Sequence, residues 1–285
     1  MRQAGPAAEC MSCGEPLSGR YCSSCGERAI SKHDYSIGHF FELTAESMFH
    51  LDGRVLNTFR LLLEQPGVLA EYFLEGRRKP YMGPVQSFVV ANFIYLLIQP
   101  FTLVTTFTTT MQQQMTQRPW HALARRMIEA KIASSGLTEE KYADQFDHMA
   151  HLQAHTLLII RVPLAAIVFL LLFGRSRKFF AEHLVLSFYT NAFFLIWYAM
   201  ATWICAVGLR LWLLAGGRLN LGIYEWVIIL SIGIPFTVYL YFANRRFFTE
   251  PRSLTWIKSI LMLLSYLGII TVYRFILFFT TFYAS

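Results

Sequence analysis

The run LVLSFYTNAFFLIWYAMATWICAVGL, residues 184–209, contains no Asp, Glu, Lys or Arg. A helix needs about 20 mainly apolar residues to cross the hydrocarbon of a bilayer, and this stretch is long enough to do so with some tilt. Four further stretches meet the same test. Residues 86–107 sit inside a charge-free segment from Pro80 to Gln117, and 156–174 carries a single charge, Arg161. Residues 226–243 lie between Glu225 and Asn244, and 259–283 follow Lys258 and are interrupted by Arg274. Composition agrees: only 15% of residues are charged and 55% are hydrophobic, whereas soluble domains carry roughly a quarter of their residues as charges. The expected architecture is an all-α integral membrane bundle of about five transmembrane helices, occupying residues 85–285, with a long connection at 108–155.

The distribution of basic residues predicts which side each connection occupies, because Lys and Arg are retained on the cytoplasmic face. With the N-terminus inside, the cytoplasmic segments 1–85, 175–183 and 244–258 hold nine, three and four Lys/Arg, against five in 108–155 and two in 210–225. The sequence therefore reads as a multi-pass protein of a bacterial inner membrane with its N-terminus in the cytoplasm and its C-terminus outside. The formal net charge of +7 fits contact with anionic headgroups; nucleic acid is not the expected partner.

Near the N-terminus, Cys10-Met-Ser-Cys13 and Cys22-Ser-Ser-Cys25 form two C-x-x-C knuckles, each followed by glycine, Gly14 and Gly26. Four thiolates at this spacing can close a tetrahedral cage around one Zn ion, and a segment of about thirty residues has little else with which to order itself. A zinc-ribbon knuckle is thus expected over 1–30, with metal ligands Cys10, Cys13, Cys22 and Cys25. The same residues lack the apolar core of a secretory signal, so they are expected to stay in the reducing cytosol, where thiols bind metal rather than pair as disulfides. The fifth cysteine, Cys205, falls in an apolar helix and reads as a small core residue.

Residues 31–84 read as amphipathic interfacial helices. Phe40, Leu43, Ala45 and Met48 recur at helical spacing, then Arg54–Glu64 ends at Gln65-Pro66-Gly67, and a short helix from Val68 runs into Arg77-Arg78-Lys79. Apolar faces beside a basic cluster suit a cytoplasmic membrane surface, where these helices are expected to pack under the bundle as a cap, with a lipid-sensing role as the alternative. In order along the chain come the knuckle, His50-Leu-Asp52-Gly-Arg54 with Phe59, Leu62-Leu63-Glu64-Gln65-Pro66-Gly67, Glu71-Tyr-Phe-Leu-Glu-Gly76-Arg-Arg-Lys79-Pro-Tyr81, and later Glu182-His183-Leu-Val. This series resembles the bacterial membrane proteins grouped as domain of unknown function 3667. The resemblance covers residues 10–100 and implies the architecture but no reaction; the connection 108–155 departs from it.

Four constellations could carry chemistry. The first is the metal knuckle, whose closed ligand set reads as structural, with a role in docking a protein partner. The second is a polar cluster expected at the inner interface, His50, Asp52, Arg77, Arg78, Lys79, Glu182 and His183. It could bind an anionic, phosphate-bearing lipid or simply pair its own charges. The third comprises Arg161 and Arg274, placed in the outer half of the bilayer near Glu225. Snorkelling is expected for Arg161, and either snorkelling or an anion pocket for Arg274. The fourth is the stripe Asp144, His148, His151 and His155 beside Asp147, on one helical face, which reads as a solvated helix entering the membrane or, alternatively, as a place where a metal could bind. No phosphate-binding loop, dinucleotide turn, zinc-protease motif or nucleophile elbow is present, so a non-enzymatic scaffold or accessory protein is the first expectation. Handling of an anionic lipid is the alternative, and transport the third. A reporter that works only outside the cytosol, fused after Ser285, should be active; silence there would require an even number of spans.

Overall fold

The computed structural model describes residues 9–17, 21–26, 53–102, 107–177, 179–218 and 220–285. The amphipathic stretch 39–50 lies outside the described residues. Beyond the N-terminal knuckle the described chain is helical: α1 (Arg54–Glu64), α2 (Val68–Glu75), α3 (Pro84–Ile98), α4 (Met111–Thr116), α5 (His121–Ser135), α6 (Glu139–Leu157), α7 (Arg161–Phe173), α8 (Phe180–Leu214), α9 (Leu221–Phe247) and α10 (Arg252–Ala284). Five helical rods are long and apolar enough to cross a membrane: Pro84–Phe101, Glu139–Phe173, Phe180–Leu214, Gly222–Phe247 and Arg252–Ala284. Their number agrees with the sequence reading and is consistent with a multi-pass membrane protein.

Helix α8 is the hub. It packs on α2, α3, α7 and α9, and its buried face runs from Ala181 to Ala206. Its polar residues are buried too, and their donors are largely bonded within the protein, while Asn191 Oδ1 and His183 Nδ1 have no partner among the described residues. The Ser187 hydroxyl donates to the Val162 carbonyl of α7 at 2.7 Å, while Thr190, Asn191 and Thr202 donate to carbonyls one turn back on α8 itself. In an apolar solvent every such group must find a partner inside the protein, and hydroxyls and amides at helix contacts are the usual solution.

The first rod ends sooner than residue 107. Pro100 carries no N–H to continue the helical ladder, the chain tightens into a 3-10 turn over Gln99–Phe101, and Thr102 is extended. Phe107 instead folds back into the core against Tyr95, Tyr198 and Tyr273. The last rod is longer than expected and runs unbroken through Arg274. At about 1.5 Å per residue its 33 residues reach about 50 Å, well beyond a hydrocarbon core of about 30 Å.

The excess length is used. Residues 108–155 are built largely of α4, α5 and α6, and α6 continues through a 3-10 turn, Leu158–Ile160, into α7. Tyr142, Phe146 and Ala150, four residues apart on α6, meet Met111, Ala124, Ile128 and Phe278 of α10 in a second apolar cluster. Lys131 Nζ donates to the Phe282 carbonyl at 2.6 Å, and the Tyr142 and Ser285 hydroxyls are 3.0 Å apart. This helical cap holds the end of α10 that overshoots the bilayer.

At the opposite end, α1 and α2 brace the bundle. Thr58 Oγ1 accepts from the Met82 N–H and Tyr189 donates to the Met82 carbonyl, both at 2.9 Å, which pins the turn ahead of α3. Gly67 has φ +83°, and a Cβ there would stand 2.9 Å from the Ala243 carbonyl oxygen in α9, so only glycine lets α2 approach α9 this closely.

Helix α9 contains Pro235, whose missing N–H would leave the Ser231 carbonyl orphaned. Trp197 Nε1 of α8 donates to that carbonyl at 2.9 Å. Trp197→Phe should lower stability by about 1–3 kcal/mol, the cost of a buried unpaired carbonyl. Adding Pro235→Ala, which restores the intrahelical donor, should recover part of it; thermal unfolding of both variants in detergent micelles is the check.

Candidate metal centre and buried polar groups

The two knuckles are built alike. In each, the residue after the second cysteine is glycine in the left-handed region, Gly14 at φ +79° and Gly26 at φ +69°. Each donates its N–H to the carbonyl of the first cysteine at 2.8 Å. A bridge between Glu9 and Pro16 closes the first knuckle. The result brings Cys10, Cys13, Cys22 and Cys25 together with all four sulfurs within 4.8 Å of one another. Cys10 lies 3.5 Å from Cys25 and Cys13 3.5 Å from Cys22. Backbone hydrogen bonds from Cys25 and Ser24 lower the Cys22 thiol to about 7, which favours the thiolate a metal requires. Four donors at this separation fit one metal ion. A Cβ added to Gly26 would lie 3.6 Å from Lys79 Nζ, so the knuckle rests beside the basic segment that leads into α3.

Among the described residues, Arg77, Arg78, Glu182 and His183 of the polar cluster read from the sequence each contact near neighbours. His50 and Asp52 lie outside the described residues. Arg77 sits 3.5 Å from Glu75 and over the Tyr72 ring, and Arg78 donates to the Phe73 carbonyl while covering the Phe73 ring. Glu182 accepts from Arg177 at 2.9 Å and from the Phe179 N–H at 3.3 Å. His183 donates from Nε2 to the Arg177 carbonyl at 3.1 Å and stacks on Phe248. Arg177, counted in the sequence only as a topology signal, also donates to the Phe247 carbonyl at 3.0 Å, and so ties α8 to α9. With the Lys258–Glu250 pair at 2.6 Å and the Arg246–Glu71 pair at 3.6 Å, this end of the bundle is laced by its own charges. A groove of about 370 Å³ between Ser176, Arg177, Phe179, Glu182, Phe247 and Thr249 opens among groups already paired.

Arg161 does not snorkel. Its side chain is 1% exposed, and none of its three guanidinium nitrogens has a hydrogen-bond partner among the described residues. The guanidinium carbon lies 4.7 Å from the Phe194 ring, 4.8 Å from Phe107 and 5.8 Å from Tyr266. Ring faces can return up to about 2 kcal/mol each to a desolvated cation. Against this stand the cost of a charge in the bilayer, at least about 2.5 kcal/mol, and that of buried N–H groups left unbonded, about 1–3 kcal/mol each. The tyrosines that build this centre, Tyr95, Tyr198, Tyr266 and Tyr273, were overlooked in the sequence because tyrosine counts as apolar in a span; their shared depth in three spans was the available signal.

Arg274 lies nearer the cap than a span ending at residue 283 would place it, because the last turns of α10 stand inside the cap. Arg118, in the turn between α4 and α5, is close enough to act on it through space. Glu225 is exposed on α9. On α6, Asp144, His148 and His151 are exposed and Asp147 accepts from the Met111 N–H at 2.6 Å, at the start of α4. The rings of His151 and His155 are 5.5 Å apart, but the four cysteines are the one group of three or more such ligands to converge among the described residues. Cys205 is half-buried beside Ser231.

Residues 52–96 match the model of a family described as Protein of unknown function (DUF3667). Over this stretch the chain is similar to that family. The DUF3667 match spans α1, α2 and nearly all of α3, the elements that meet at Met82 and Gly67 and pack against α8 and α9. No curated protein and no solved structure matches the chain. Cys13→Ser should take the purified protein from one bound metal ion per chain to little or none by elemental analysis, with the thermal unfolding of the bundle unchanged.

Proposed function

We propose that this is a non-enzymatic scaffold or accessory protein of a bacterial inner membrane, whose knuckle holds one zinc ion and docks a protein partner in the cytosol. The observation that carries this reading is the closed thiol cage at the foot of the bundle. A tetrahedron of thiolates around zinc, with bonds of about 2.3 Å, has edges of about 3.8 Å, and the sulfur separations of 3.5 Å to at most 4.8 Å bracket that value. Four protein ligands leave no position for water or substrate, so the ion orders the knuckle and performs no hydrolysis. Met11 is 49% exposed and Tyr21 60% exposed on the surface thus formed, and such side chains are typical anchors of protein contacts.

Orientation follows from charge. Lys79, Arg177, Arg245, Arg246, Arg252 and Lys258 belong to the end where α2 and the turns before α8 and α10 meet, and a basic end is retained on the cytoplasmic side. The knuckle, beside Lys79, is then in the compartment that keeps thiols reduced. Acid–base work on a lipid by Glu182 and His183 is not favoured, since Arg177 occupies both.

A photo-crosslinking amino acid at position 21 tests the reading in living cells. It should yield a discrete protein adduct, and Cys13→Ser should abolish that adduct while leaving the amount of inserted protein unchanged. No adduct at position 21, or one indifferent to Cys13→Ser, would remove the docking role.

A further inference from the structure

The guanidinium of Arg161 has an arrangement that the knuckle reading leaves unused. It is fully enclosed, lies against the rings of Phe107, Phe194 and Tyr266, and has no hydrogen bond to any described residue. The ionisable groups that act on it are four tyrosines, Tyr95, Tyr198, Tyr266 and Tyr273, with no carboxylate among them. Tyr273 is committed, its hydroxyl lying 2.7 Å from the Ala154 carbonyl and 3.2 Å from that of Phe107. The Tyr266 hydroxyl is buried close to the Asn191 side chain, and neither it nor Asn191 Oδ1 has a geometrically formed hydrogen bond among the described residues. One wall of the enclosure therefore presents a positive charge and its N–H donors, another an O–H donor, and none of these donors is bonded to a described residue. A planar guanidinium matches the paired oxygens of a carboxylate or phosphate, and ionisable side chains retained inside a membrane domain mark binding sites or pathways.

We propose that Arg161 anchors a buried binding site for an oxyanion, a carboxylate or phosphate, which accepts from the guanidinium and from the Tyr266 hydroxyl. The aromatic walls shield that pair from lipid and raise the strength of each charge-assisted bond. Two sources offer this chemistry: a free anion, or the headgroup of an amphiphile whose tail remains among the helices. Neither requires the knuckle to dock anything, so this site and the docking role stand or fall separately.

The experiment uses the full chain purified in dodecyl maltoside, a detergent without phosphate or carboxylate. Native mass spectrometry first reads any mass retained on the wild type and missing from Arg161→Met, which removes the charge at similar volume. Thermal unfolding is then followed with inorganic phosphate, acetate, laurate or phosphatidylglycerol added singly. Binding is expected to appear as a retained mass, or as a rise of several degrees in the midpoint of the wild type that Arg161→Met does not show. A response to phosphate or acetate identifies a free anion; a response confined to laurate or phosphatidylglycerol, or a retained lipid mass, identifies an amphiphile. If no mass is retained, no probe shifts the wild type, and Arg161→Met is the more stable protein, the guanidinium has no ligand and the proposal fails. Should the methionine variant not fold, Arg161→Lys keeps the charge but loses the fork. It should then weaken binding of the active probe at least tenfold, and unaltered binding would overturn the site.

Discussion

The rule that polar groups in hydrocarbon must be answered from within the protein organises this structure more than any single contact. The hydroxyl and amide groups along α8 show it plainly: Ser187 reaches across to α7, while Thr190, Asn191 and Thr202 turn back on their own helix. Pro235 breaks the ladder of α9, and the indole of Trp197 answers the carbonyl that the break exposes. Asn244 does similar work between α9 and α10 through Ser259, at 3.0 Å. Against these pairings, the three guanidinium nitrogens of Arg161, buried with no hydrogen-bond partner among the described residues, form the largest such group on any one side chain.

The two ends of the bundle are held by different physics. Where α2, α8, α9 and α10 meet near Arg177, ion pairs and cation–ring contacts join elements that would otherwise repel through their shared basic charge. Such pairs contribute little when fully exposed, but the Arg177–Glu182 and Lys258–Glu250 pairs are largely shielded and each also fixes a helix start or turn. At the other end an apolar cluster does the holding, with α4, α5 and α6 wrapped on the tail of α10. A four-cysteine knuckle on the first end and a helical cap on the second give the bundle a distinct surface at each end.

Much of this was legible in the residues. Charge-free runs mark the five rods because the bilayer tolerates few charges, and the C-x-x-C spacing marks the metal cage because local backbone turns alone determine it. Helix bounds were less legible. Phe107 continues an apolar run, yet Pro100 stops the helix and the phenylalanine turns inward. The segment 108–155 has ordinary polar composition, and nothing local says that Tyr142, Phe146 and Ala150 will find α10 more than a hundred residues later. The enclosure around Arg161 was hidden for the same reason: its walls come from the connection after the first rod, from α8 and from α10, a convergence that only the packed bundle creates. Glu182 and His183, read from the sequence as part of a polar cluster, both contact Arg177, which the sequence offered only as a topology signal.

The grip of the cap on α10 also sets an order of assembly. Lys131 and the carbonyl it holds, that of Phe282, are 151 residues apart in the chain, which at roughly 5–20 residues per second means a delay on the order of 10 s between their appearance from the ribosome. Through that interval the apolar face of α4–α6 has no permanent neighbour, and it is completed only when the final helix threads the bilayer and arrives from the other side. Insertion of α10 thus acts as a latch on the cap, and until it arrives the apolar face of α4–α6 stays uncovered.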